Sequence, residues 1–244
     1  MIERPRFFPR QLVTPDDLTL GQDYFRNKIR RINRYLHGWG VVCGTRVVNP
    51  KTPQPWKVVI QTGYILGPYG DEIVIDRDIC FDLRVRCMEA AAGDACTEVA
   101  DPLCPDQTIS TRRGEKPYYI AVRYKDMAAR PVRVQPAGCG CDDSQCEYSR
   151  WRDGYEICVL DECPDAGAEP PDLDQISKQE GIPDCPPCPS VPWVVLAEVT
   201  TDGQGRVTKI DNCKCRRMVR TLAPYWWRCK EPAIVIDPPP GPVD

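Results

Sequence analysis

The chain has 244 residues, a formal net charge of -3 and 15 cysteines. That length can bury a real core and hold one or two domains. It contains no run of about 18 apolar residues, which argues against a membrane-spanning helix.

Charge is unevenly spread. Residues 1–47 carry nine Lys/Arg against four Asp/Glu, a net of +5, which leaves -8 for the remainder. A basic arm and an acidic body attract one another, and head-to-tail contact between copies, a homo-oligomer, is one expected result. The opening MIERPRFFPR has no continuous apolar core, so no secretory signal is read there. The cysteine content is nevertheless high for a reduced cytosolic enzyme. The two observations together fit a protein made in the cytoplasm and released by another route, a disulfide-rich cytosol, or metal binding.

In chain order, Phe7 and Phe8 lie in an extended arm. Thr14 suits an N-cap, Pro15 the first helical position, and Asp16 and Asp17 the positive end of the helix dipole. Thr14 and Asp17 also have the spacing of a capping box. Leu18, Phe25, Ile29, Ile32 and Leu36 then fall on one helical face, expected to be a buried stripe. Arg26, Lys28, Arg30, Arg31 and Arg34 fill much of the rest, and Gly38 is placed to end the helix. The basic face reads either as a solvated face or as a docking surface for an acidic partner. No recognised nucleic-acid motif accompanies it. His37, the only histidine, is expected to pack or cap the helix end rather than do chemistry.

Trp39-Gly40-Val41-Val42-Cys43-Gly44 reads as a turn into a buried strand, with Trp39 as a core anchor fixing the helix against the sheet. Lys57–Gln61, Tyr64–Leu66 and Glu72–Ile75 read as strands, the last two joined by the turn Gly67-Pro68-Tyr69-Gly70-Asp71. Asp71, Glu72, Asp76 and Asp78 are read as turn and edge acids rather than a carboxylate site. Residues 80–114 look irregular, with disulfides expected among Cys80, Cys87, Cys96 and Cys104. Pro117–Lys125 and Tyr155–Leu160 read as strands. Pro192–Thr200 and Arg206–Ile210 form a hairpin about Asp202-Gly-Gln-Gly205.

The fold class expected is mainly β, a sandwich or barrel-like body, with one N-terminal amphipathic helix and a Cys/Pro-rich irregular insert. The chain divides into an arm and docking helix (1–38), a first β part (39–135), the insert (136–190), a closing hairpin (191–230) and a proline-rich tail (231–244).

Cys185-Pro-Pro-Cys188 with Cys213-Lys-Cys215 offers four thiolates for zinc, and Cys139-Gly-Cys141 a further pair. Disulfides are the preferred reading for cysteines in coil-like sequence, with no cofactor expected. The Cys185/Cys188 pair lacks the strand-then-helix setting of a thioredoxin-like site. No phosphate loop, dinucleotide fingerprint or G-x-S-x-G elbow is present, so an enzyme is not expected.

The segment FFPRQLVTPDDLTLGQDYFRNKIRRINRYLHGWGVVCGTRV resembles the start of a group of bacterial proteins found with phage-tail-like contractile injection systems. GYILGPYGDEIVI resembles their G-x-E-I-x-V hairpin, and PWVVLAEVTTDGQGRVTKIDNCKCRR their later strand, turn and Asp-Asn step leading to arginine. Phage baseplate and fibre proteins share this style. The resemblance lies mostly in the first 75 residues and in 192–217; it is structural rather than catalytic, and the cysteine-rich insert has no counterpart in it. It implies a non-enzymatic accessory, baseplate, fibre-attachment or decorating subunit, whose partners are other subunits of the particle.

On that reading Phe7, Phe8, Tyr24, Phe25, Arg26, Arg30 and Arg34 are the expected interface. The alternative is a secreted or surface module for a glycan or receptor, with Tyr225, Trp226 and Trp227 as a stacking platform.

Overall fold

In a computed structural model, residues 3–52, 54–91, 117–133, 146–164, 185 and 187–220 are described. The expected helix forms as α1, Pro15–Ile32, and continues through a π-helical turn, Asn33–His37. Thr14 caps it: its hydroxyl oxygen accepts from the Asp17 amide, and the Asp17 carboxylate accepts from the Thr14 amide at 3.0 Å. Two orphan amides are thereby satisfied reciprocally. Gly38 ends the helical segment with φ at 76°.

The body is β, in three antiparallel sheets. β1 (Gly40–Gly44), β4 (Gly63–Leu66) and β5 (Glu72–Ile75) form one, in the order β1-β4-β5. β2 (Val47–Val48), β3 (Lys57–Ile60) and β6 (Ile79–Asp82) form the second, in the order β2-β3-β6. The third has five strands in the order β11-β10-β8-β9-β7: β7 (Cys87–Ala91), β8 (Tyr118–Arg133), β9 (Cys146–Leu160), β10 (Val194–Thr201) and β11 (Val207–Asp211).

Alternation explains the short strands. β5 turns Ile73 and Ile75 inward and Glu72 and Val74 outward; β6 buries Ile79 and Phe81 and exposes Cys80. β10 is buried almost throughout because both faces of its sheet are covered. Leu196 and Val199 join the main core that all three sheets share, while Val195 packs with Tyr119 and Ala121 on the other face. Trp39 packs against the main core as expected, with the Arg217 guanidinium 4.2 Å from its ring centre.

Three strand expectations need correction. Residues 80–114 are expected to be irregular, yet most of β6 and all of β7 fall there. β8 and β9 also extend well beyond the predicted strands. Their outer halves, 126–133 and 146–153, pair with each other and with no other described strand. Trp151 and Tyr148 are exposed there. A ribbon wet on both faces has no buried side to impose alternation, so period-2 reasoning misses it.

The later segment of the resemblance has a clear structural task. Asn212 exchanges two hydrogen bonds with the Val47 backbone, at 2.8 and 2.9 Å. Arg216 donates to the carbonyl oxygens of Gly44, Thr45 and Leu196 at 2.6–3.1 Å. Val41 is held by Arg217 O and in turn accepts from the Val219 amide. Residues 212–219 therefore clamp the first two strands to the central sheet.

Candidate docking surface

α1 has a charged side and an apolar side, and its body-facing side is the charged one. Arg26 donates to Asp126 on β8 at 2.5 Å, with its guanidinium 5.6 Å from the Tyr124 ring centre. Arg30 donates to Asp71 at 2.5 Å, and the Asn33 amide donates to Gly70 O at 2.9 Å. The helix backbone comes so near the β4–β5 turn that a Cβ at Gly70 would lie 2.1 Å from Arg30 O. Only glycine fits that approach, and Gly70 also has φ at +90°.

Tyr124 sits at the centre of this contact. Its hydroxyl is 2.6 Å from carboxylate oxygens of both Asp126 and Asp153. Burial, reinforced by these two carboxylates, raises its pKa above the ordinary phenol value. Burial works against Asp126 ionisation, but hydrogen bonds from Tyr124 and Arg26, with the charges of Arg26 and Arg30, outweigh it and lower its pKa. A cleft of about 490 Å³ lies between helix and body, lined by Ile29, Arg30, Asp71, Tyr124 and Asp153 among others.

The stripe expected to be buried is exposed. Leu18, Phe25, Ile29, Ile32 and Leu36 are 57, 67, 52, 49 and 75% accessible, and α1 contains no buried residue. Phe7 and Phe8 in the arm are also exposed, as are Leu12 and Val13. This is a correction with a simple cause. Periodicity shows which side chains share a face, but the body presents carboxylates and a phenol where the helix lands. The arginines satisfy that surface, and their aliphatic stems cover it.

The expected interface therefore divides. Phe7, Phe8 and Phe25 face outward, and Tyr24 is half-buried with its ring edge-on to Phe25 at 5.3 Å. Arg26 and Arg30 pair with carboxylates of the chain's own body, at Asp126 and Asp71. Arg34 is half-buried beside a groove of about 460 Å³ lined by Asn27, Arg30, Arg31, Arg34, Tyr35 and Tyr69. Its Nε is buried with no hydrogen-bond partner. His37 is exposed in the last turn of the helical segment.

Asp71, Tyr124 and Asp126 were not anticipated as helix-holding residues. Asp71 is visible in sequence only as a turn acid, and Asp126 lies 100 residues from Arg26. No local pattern links them.

Among the described residues the cysteines form two disulfides. Cys163 pairs with Cys215, which removes Cys215 from the four-thiolate zinc set. Cys87 pairs with Cys158 across β7 and β9, not within its own loop. Cys80, Cys185, Cys188 and Cys213 are exposed free thiols. Cys87, Glu156 and Cys158 lie within 4.8 Å of one another, but the sulfurs are bonded together and Glu156 holds Arg123 at 2.5 Å. Cys96, Cys104, Cys139, Cys141, Tyr225, Trp226 and Trp227 lie outside the described residues.

No known family profile matches the chain, and no curated protein is significantly similar to it. Among solved structures, it is similar to a chain of the type VI secretion system TssK-TssF-TssG baseplate subcomplex, with a TM-score of 0.40 and 13% identity. The alignment covers 86% of this chain and 60% of that one.

Proposed function

We propose that the protein is a non-enzymatic structural subunit of a phage-tail-like contractile injection particle. It acts as an accessory, baseplate, fibre-attachment or decorating component and docks on neighbouring subunits through the N-terminal arm and the outward face of α1. The observation that carries this reading is a helix held to its body by arginines while its apolar stripe of Leu18, Phe25, Ile29, Ile32 and Leu36 stays exposed. Contiguous apolar surface of this kind marks an interaction site. The sequence resemblance of residues 7–47, 63–75 and 192–217 supplies the class of assembly. Nothing in the reading requires a cofactor, and its partners are proteins.

The test uses native material. Gentle lysis, sedimentation and mass spectrometry locate the chain relative to sheath and tube proteins. Co-sedimentation with them, with particles visible in electron micrographs, is the expected result. A slowly sedimenting monomer free of such partners would overturn the reading.

A further inference from the structure

We propose that the groove between α1 and the β4–β5 turn binds a phosphate group carried on a small molecule, held chiefly by Arg31 and Arg34. The site is separate from the exposed apolar stripe and does not depend on the docking role.

The groove follows from helical spacing. Asn27, Arg31, Arg34 and Tyr35 are spaced four, three and one, which sets them along one side of the helical segment. Phe25, Ile29, Ile32 and Leu36 take the opposite side. Tyr69 enters from the β4–β5 turn. That turn is tied to the helix by Arg30 donating to Asp71 and by the Asn33 amide donating to Gly70 O. These contacts fix the two walls relative to each other, so an occupant meets a site already formed.

The chemistry of the groove is one-sided. It encloses about 460 Å³, and its six lining residues offer three guanidiniums, one amide and two phenols, with no carboxylate among them. Arg30 is neutralised by Asp71 at 2.5 Å. Arg31 and Arg34 are paired with no carboxylate among the described residues. The Arg34 Nε is buried without an acceptor. A buried donor left unpaired is costly, and an acceptor brought by a ligand removes that cost.

Two uncompensated guanidiniums select the ligand. A carboxylate neutralises only one of them. A phosphate monoester has a second pKa of about 6, so at neutral pH it is largely a dianion with three terminal acceptor oxygens. Those oxygens match the fixed donor forks of two arginines. The rings of Tyr35 and Tyr69, both part-exposed, give the organic remainder a surface to rest on.

The experiment titrates the full chain with glycerol phosphate, inorganic phosphate and acetate at equal ionic strength, read by calorimetry. Both phosphates are expected to bind saturably, at least about tenfold more tightly than acetate. Between pH 7 and pH 5 the dianion fraction of the ester falls about tenfold, and its affinity should fall with it. The arginines stay charged over that range. Arg31→Gln and Arg34→Gln should each weaken binding at least about tenfold, and Arg34→Lys, which keeps the charge but loses the Nε donor, by less. Lys28→Gln, outside the groove, should leave it unchanged, with circular dichroism alike for all four variants. Absence of saturable phosphate binding by the parent chain would overturn the site whatever the variants do. Equal affinity for acetate, or an equal loss in Lys28→Gln, would reduce it to general charge attraction. A single-stranded oligonucleotide that binds through Arg31 and Arg34 while neither phosphate does would make the ligand a nucleic acid. A chain that co-sediments with sheath proteins yet binds no phosphate keeps the docking role and loses this site.

Discussion

Arg30 on α1 donates to Asp71 in the β4–β5 turn at 2.5 Å, beside a glycine that lets the helix backbone touch that turn. This contact and its neighbour, Arg26 to Asp126, decide which face of the helix remains outside. The attraction between a basic N-terminal segment and an acidic body is thus met within one chain at these two pairs.

Removing that anchorage is expected to release the helix before the body. Asp71→Asn with Asp126→Asn should cost roughly 0.5–1 kcal/mol for each part-exposed pair. Gly70→Ala should cost more, about 1–3 kcal/mol, because backbone atoms must move and φ is positive. Hydrogen exchange checks both: amides of 15–32 should exchange faster while those of β8 and β10 keep their protection. Uniform loss of protection over both regions would contradict the expectation.

Acid should loosen the same contact. Asp126 is ionised where it holds Arg26, and its pKa is lowered from the ordinary value of 3.8. Its contribution is complete above that value and disappears as pH falls through the lower folded-state pKa. Helix docking is therefore expected to be constant from neutrality to about pH 4 and to weaken below it. Limited proteolysis of the arm and helix across that range reads the change; a smaller acid response in the Asp126→Asn variant is the internal control.

Arg216 should be among the costliest single side chains to lose. Its guanidinium satisfies three backbone oxygens, and burial lowers its pKa. Arg216→Met would leave those carbonyls without their donor, at about 3 kcal/mol or more. The urea midpoint should fall with an unchanged slope. A midpoint shift small enough to match a surface substitution would show that water replaces the donor.

The Cys163–Cys215 bond ties the clamp segment to the end of β9 over a sequence separation of 52. Cys163→Ser is expected to cost about 2–4 kcal/mol by releasing that loop in the unfolded chain. A thermal scan of the variant beside the parent reads it, and added reductant should reduce the difference between them.

Much of the fold is legible in the sequence. The Thr14 cap, the Pro15 start, the Gly38 stop and the strands at 57–60, 72–75 and 194–201 rest on hydrogen bonds and side-chain periods within a few residues of one another. The setting of the helix is only half legible. The apolar and basic side chains of α1 can be sorted into faces from their spacing, whereas the pairing of Arg26 with Asp126 and of Arg30 with Asp71 cannot. The cysteines divide similarly: disulfides follow from composition, but the pairing of Cys87 with Cys158 depends on strand register.

By itself, then, the sequence determined that a capped helix precedes a β body and that its apolar side chains share one side. Tertiary structure decided that this side stays exposed, because the carboxylates that hold the charged side are 41 and 100 residues away along the chain. Local periodicity is set by backbone geometry within a turn or two. The choice of which face to bury belongs to whatever surface the rest of the chain brings to meet it.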